Sequence, residues 1–148
     1  MRNASIVGVV VAIALAVAAV AAAKPAARPA TVATAGTSLG RIVVDGRGRS
    51  LYLFEKDAKG RSACSGLCAS YWPPLLTSGT PAAVRGAKAS LLGSIRRADG
   101  SRQVTYAGHP VYYFAGDSGR GQTNGEGLKD FGAGWYVLTP AGKKIDRD

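Results

Sequence analysis

Displaced by 60 positions, the chain matches itself: Val44, Gly48, Tyr52, Phe54 and Asp57 fall on Val104, Gly108, Tyr112, Phe114 and Asp117. Each copy continues into a polar, Gly-containing loop and then a tryptophan, Trp72 in the first and Trp135 in the second. Such self-similarity marks one supersecondary unit stated twice. Within each unit a β-rich run (41–44; 103–106) precedes a Gly-bearing connection and a second β-rich run (51–54; 111–114), the pattern of a hairpin. Alternation puts Tyr52 and Phe54 on one face with Leu51 and Leu53 on the other, and likewise Tyr112 and Phe114 opposite Val111 and Tyr113. Both faces are largely apolar, so these strands belong in the middle of the fold, not at an edge. Further strands are expected at 91–96 and 135–139, the latter ended by Pro140, and short helical turns at 65–71 and 82–89. The expected architecture is all-β, a small antiparallel barrel or sandwich built from two pseudo-symmetric hairpin repeats, the first about 40–77 and the second about 100–140.

The amino terminus is of a different kind. Met1-Arg2-Asn3 is a short positive head, Ile6 to Val20 an unbroken apolar run, and Ala21-Ala22-Ala23 a small-residue stretch, together the pattern of an export signal. Left uncleaved, residues 6–23 would serve as a membrane tether. Residues 24–38, with two prolines and many Ala and Thr, read as a linker, leaving 39–148 as the folded two-repeat domain. The body of the protein is therefore expected outside the cytoplasm, secreted or associated with the cell envelope. Two cysteines allow one bridge at most, which excludes a disulfide-dense miniprotein. The scarcity of long helical patterns excludes a helical bundle.

The doubled Tyr-x-Phe-x-x-Asp, the run Cys64-Ser65-Gly66-Leu67-Cys68-Ala69-Ser70-Tyr71-Trp72-Pro73-Pro74-Leu75, the Leu91-Leu92-Gly93 segment and the strand Gln103-Val104-Thr105-Tyr106 resemble a bacterial family, the secreted repeat of unknown function. The resemblance spans roughly residues 40 to 140. Its members are often described as predicted lipoproteins carrying a Tyr-x-aromatic-x-x-Asp motif. The resemblance implies export and an envelope setting, and no activity. This chain departs from the lipoprotein members in having no lipobox cysteine after the apolar run.

Cys64 and Cys68 leave three readings: a structural bridge, which the export context favours, a redox dithiol, or part of a metal site. A thioredoxin-like dithiol wants two intervening residues and a helix start; zinc wants further Cys or His, and His109 is the only histidine. No metal or other cofactor is expected. Asp57 and Asp117, three residues past their Phe, fit turn or capping carboxylates that accept backbone N–H groups. A calcium reading through Asp117, Asn124 and Glu126 fails the ligand spacing, with Gly119, Arg120 and Gly121 in the loop. Trp72, Trp135 and most of the tyrosines are read as core aromatics. Nothing assembles a nucleophile, a base and an oxyanion donor, so no enzymatic activity is expected.

Charge is the remaining feature with a consequence. Nineteen Lys and Arg stand against nine Asp and Glu, for a net charge of +10. Arg47, Arg49, Lys56, Lys59 and Arg61 crowd the first repeat, and Arg96 and Arg97 precede the second. Outside the cytoplasm such a surface meets anionic envelope polymers or lipid head groups. No nucleic-acid motif accompanies it, so no specific nucleic-acid partner is expected. The leading expectation is an exported, non-enzymatic envelope module that binds anionic material or serves a structural role. The rival is an accessory of extracytoplasmic redox or electron transfer that uses Cys64 and Cys68.

Overall fold

A computed structural model describes residues 15–20 and 28–147. The expectations for residues 1–14 and 21–27, which include most of the leader and the start of the linker, lie outside the described residues. No described helix is long and apolar enough to cross a membrane.

The chain runs through β1 (Thr31–Thr37), β2 (Gly40–Asp45), β3 (Tyr52–Phe54), α1 (Leu67–Tyr71), β4 (Ala82–Ala83), β5 (Leu92–Arg96), β6 (Arg102–Tyr106), β7 (His109–Pro110), β8 (Lys129–Asp130) and β9 (Ala133–Val137). These form three small sheets, ordered β2-β1-β4, β3-β9-β8 and β5-β6-β7. Every pairing is antiparallel except β1 with β4. The sheets pack in the manner of a sandwich, without a closed barrel among the described residues.

Both hairpins of the repeat are present. In the second, Tyr106 pairs with His109 across Ala107-Gly108, whose φ values of 51° and 82° belong to the two-residue turn that matches strand twist. In the first the connection is wider: Val44 bridges Ser50, and the Asp45 carboxylate accepts the backbone N–H groups of Arg47 and Arg49, each at 2.9 Å. The equivalent residues Leu51 and Val111 consequently donate to Val43 (3.2 Å) and Val104 (3.1 Å), one register position apart.

The repeats interlock. Tyr52 and Tyr112 exchange reciprocal backbone hydrogen bonds of 2.8 and 3.0 Å. Around them each repeat lends its tryptophan-bearing segment to the other: β9 pairs with β3, with Phe54 opposite Trp135. On the other side Tyr113 N–H donates to the Pro73 carbonyl at 2.7 Å and Leu75 N–H to the Val111 carbonyl at 3.1 Å. The read alternation holds, because the central strands bury both faces. One cluster gathers Tyr52, Phe54, Trp72, Tyr112 and Trp135, and the other gathers Leu51, Leu53, Val104, Val111 and Tyr136.

Three expectations need correction. The linker reading of 24–38 fails from Thr31 onward, where β1 buries Val32, Ala33 and Thr34. Its strand character comes from the β-branched Thr31, Val32, Thr34 and Thr37 and from pairing with β2, features that a Pro/Ala/Thr-rich composition hides. Residues 111–114 do not form a continuous ladder; Tyr112 makes isolated bridges to Tyr52 and Pro74, since a proline cannot donate to a regular ladder. Residues 82–89 are not helical throughout, beginning instead with β4. The short helix expected at 65–71 is α1.

Candidate functional site

The repeat motif is built from a turn. Asp57 N–H donates to the Phe54 carbonyl and Asp117 N–H to the Phe114 carbonyl, both at 3.0 Å, which turns each carboxylate back toward the centre. There the pairing crosses between repeats. Tyr52 Oη donates to Asp117 Oδ2 at 2.6 Å, and Tyr112 Oη to Asp57 Oδ2 at 2.9 Å. The second oxygen of each carboxylate accepts a loop amide, from Ala63 for Asp57 (2.7 Å) and from Asn124 for Asp117 (3.0 Å). The capping role read from the sequence is thus joined by a cross-repeat one. Burial holds the Tyr52 and Tyr112 phenols protonated far above their usual range, and Asp117 adds to the effect at Tyr52. Burial also raises the Asp57 carboxyl, opposed by the Ala63 amide, the Tyr112 hydroxyl and Arg97.

Four rings stack through the same centre in the order Phe54, Trp135, Trp72, Phe114, with centroid separations of 4.0, 3.9 and 4.4 Å. Tyr52 and Tyr112 stand edge-on to Trp72 and Trp135 at 5.4 and 5.2 Å. Both tryptophans are fully buried, so they are core residues, as read, and offer no face to a ligand. The stack breaks its own symmetry at the indole N–H groups: that of Trp135 donates to the Asp130 carbonyl at 3.0 Å, while that of Trp72 is buried without a partner among the described residues.

Cys64 and Cys68 form a disulfide that ties the chain before α1 to its first turn, with a Cα–Cα distance of 5.3 Å, and both are buried. The atoms of the calcium reading are engaged elsewhere: Glu126 Oε2 accepts the Val137 amide at 2.7 Å, and the Asp117 oxygens are bonded as described. Asp57 and His109 line one cleft of about 460 Å³ with Glu55, Lys143 and Lys144. Asp117 is absent from that lining, so the two repeat carboxylates do not meet in it. Burial lowers the His109 pKa, keeping the imidazole neutral at pH 7.

The basic residues divide into distinct settings. Arg61, Arg96 and Arg97 line a cleft of about 490 Å³ with Ser62, Cys64 and Ser65. Arg97 is fixed at its wall, donating from Nη1 to Ser62 Oγ (3.0 Å) and Gln103 Oε1 (2.7 Å), and from Nη2 to the Cys64 carbonyl (2.6 Å). Gln103 is fully buried and donates in turn to the Val111 carbonyl at 2.9 Å. Arg47 lines a second cleft of about 400 Å³ with Arg85 and Arg120. The sequence reading missed Arg85 and Arg120, which lie too far along the chain from Arg47 to look clustered. Arg49 is engaged within the fold: its guanidinium lies 4.6 Å from the Tyr113 ring centre and donates to the Asp117 carbonyl at 3.3 Å. Lys56 and Lys59 are exposed.

The model of a protein family described as a secreted repeat of unknown function matches this chain twice, over residues 33–76 and 93–139. The chain belongs to that family. The two matched stretches hold one Tyr–Asp motif and one stacked tryptophan each, so the secreted repeat of the family and the interlocking half of this fold are the same unit. As a secreted-repeat protein it works outside the cytoplasm. No curated protein and no solved structure matches it.

Proposed function

We propose that this secreted-repeat protein is an exported, non-enzymatic envelope module that holds anionic cell-envelope material through its arginine clefts, with residues 1–23 as its export signal or anchor. One observation carries the reading. No arginine makes an ion pair within 4.0 Å among the described residues, yet three converge on each of two clefts whose linings contain no carboxylate. Like charges brought together without a carboxylate in direct contact repel one another, and an incoming anion relieves that repulsion. The fixed Arg97 gives the larger cleft a rigid wall, and Arg61 and Arg96 present their donors to solvent.

Retention of the full chain on an anionic polymer matrix, followed while sodium chloride is raised, tests the proposal. Retention is expected to fall steeply with salt, as screening weakens exposed charge pairs, and to weaken several-fold in R61Q/R96Q. Absent or salt-insensitive retention would dismiss it.

A further inference from the structure

The smaller arginine cleft has features that the larger one lacks. Arg85 sits at φ 42°, in the left-handed region, followed by Gly86 at φ 88°, in a tight turn closed by Ala87 N–H on the Val84 carbonyl at 3.2 Å. Glycine or asparagine is the ordinary occupant of such a position, so a strained arginine directs attention to its side chain. Thr34 pins the turn, donating to the Arg85 carbonyl from both its amide (3.1 Å) and its hydroxyl (2.8 Å), and only glycine fits at position 86, where a Cβ would lie 2.6 Å from Thr34 Oγ1. Arg85 Nη2 donates to the Gly46 carbonyl at 2.9 Å. Across the cleft the stem of Arg120 lies along Gly48: a Cβ there, at φ 89°, would come within 3.3 Å of it. The Arg85 guanidinium is thus held by its turn and the Gly46 carbonyl, the Arg120 stem lies on a glycine with no room for a larger residue, and Arg47 completes the set.

The location is equally specific. Gly46 N–H donates to the Thr31 carbonyl at 2.9 Å, so the cleft adjoins the residue at which the chain joins the sheets. Only the residues 24–30 separate Ala23 from Thr31, a reach of at most about 25 Å when extended. An apolar segment 6–23 held in a bilayer would therefore keep this cleft close to the head-group layer.

We propose that Arg47, Arg85 and Arg120 form a binding site for a phosphate-ester group, placed to meet one carried at the membrane surface. This rests on the reading of the protein as an anion-binding envelope module and names the ligand class for one of its clefts. The chemistry favours phosphate over carboxylate: three guanidinium forks match an oxyanion that presents oxygens in three dimensions, whereas a carboxylate offers two in one plane.

The test follows the arginine Nε–H resonances of the full chain during titration with inorganic phosphate, and with acetate at equal ionic strength. Phosphate is expected to move the signals of Arg47, Arg85 and Arg120 and to bind at least fivefold more tightly than acetate. R85N/R120Q is expected to lose that preference, Asn being chosen because it tolerates the left-handed turn; R61Q/R96Q is expected to keep it. An unchanged near-ultraviolet spectrum from the stacked tryptophans certifies the fold of each variant. A second arm measures co-sedimentation with phosphatidylglycerol vesicles, where R85N/R120Q is expected to bind at least threefold less than the parent chain. Loss in both arms supports the site with a lipid-borne ligand. Loss in the phosphate arm alone supports the site and assigns it a soluble phosphate ester or polymer. Equal responses to phosphate and acetate, or unmoved Arg85 and Arg120 signals, overturn the inference while matrix retention still stands; absent retention on every anionic matrix overturns the broader reading as well.

Discussion

Tyr52 and Tyr112 are paired twice over, backbone to backbone at 2.8 and 3.0 Å, and through hydroxyls that reach to the aspartate of the opposite repeat at 2.6 and 2.9 Å. The pair marks a pseudo-twofold axis. A duplicated sequence would permit two independent hairpin units side by side; this arrangement instead makes each repeat complete the other. The segments that carry Trp72 and Trp135 obey the same rule, since each lines the tyrosine strand of its neighbour.

The buried Tyr52–Asp117 contact should be worth measurable stability. Tyr52→Phe removes a donor from a carboxylate that is only 4% exposed, and the cost is expected at about 1–3 kcal/mol by urea unfolding. In a double-mutant cycle with Asp117→Asn the coupling should exceed about 0.5 kcal/mol. The Tyr112–Asp57 pair, whose carboxylate is half-buried, should give a smaller value. Additive effects at Tyr52 and Asp117 would remove the cross-repeat bond from the account.

Alkaline pH should unfold the protein by way of its tyrosines. Burial raises the folded pKa of Tyr52, Tyr112 and Tyr113 above the ordinary 10.0. The unfolded chain therefore loses these protons first, so their stabilisation is complete below pH 10 and declines as pH rises above it. With up to three protons involved, the slope approaches about 4 kcal/mol per pH unit. Tyrosinate absorbance followed beside circular dichroism should show three tyrosines ionising only as the fold is lost, and Tyr113→Phe should lower the slope by about a third. Ionisation of all six tyrosines in a native spectrum would contradict this.

Replacing Cys64 and Cys68 by alanine should cost about 2 kcal/mol, because a short closed loop restrains the unfolded chain only modestly. Arg97 Nη2 is anchored on the Cys64 carbonyl at 2.6 Å, so the larger arginine cleft should loosen and its anion retention fall. A reduction potential below about −300 mV is expected for a bridge of structural kind. A markedly more oxidising value would favour the rival redox role.

How much was legible follows from where each signal lies. The doubled tyrosines, phenylalanines and aspartates, with their alternation, gave away the hairpins and the two-faced burial of Leu51 to Phe54, because side-chain period and backbone geometry share one cause. Cross-repeat completion was not legible, since periodicity reports which face a residue occupies and not which partner covers it. β1 was hidden by its Ala and Thr content; it is ordered by its pairing with β2 and by the parallel contact of Thr31 and Val32 with β4. The charge cluster was half legible. Arg61 was read with the first repeat and Arg96 and Arg97 with the second, and the fold brings the three to one cleft; Arg85 and Arg120 reach Arg47 only through turns whose geometry the sequence states merely as an Arg-Gly step.

The most direct trial of mutual completion divides the chain into residues 24–88 and 89–148, a cut that leaves β4 with β1 and sends β5 with β6. Amide proton spectra are expected to show each fragment unfolded alone, and a dispersed native spectrum when the two are mixed in equal amounts. A dispersed spectrum from either fragment by itself would mean that one repeat folds without the other, and would contradict the interlocked fold.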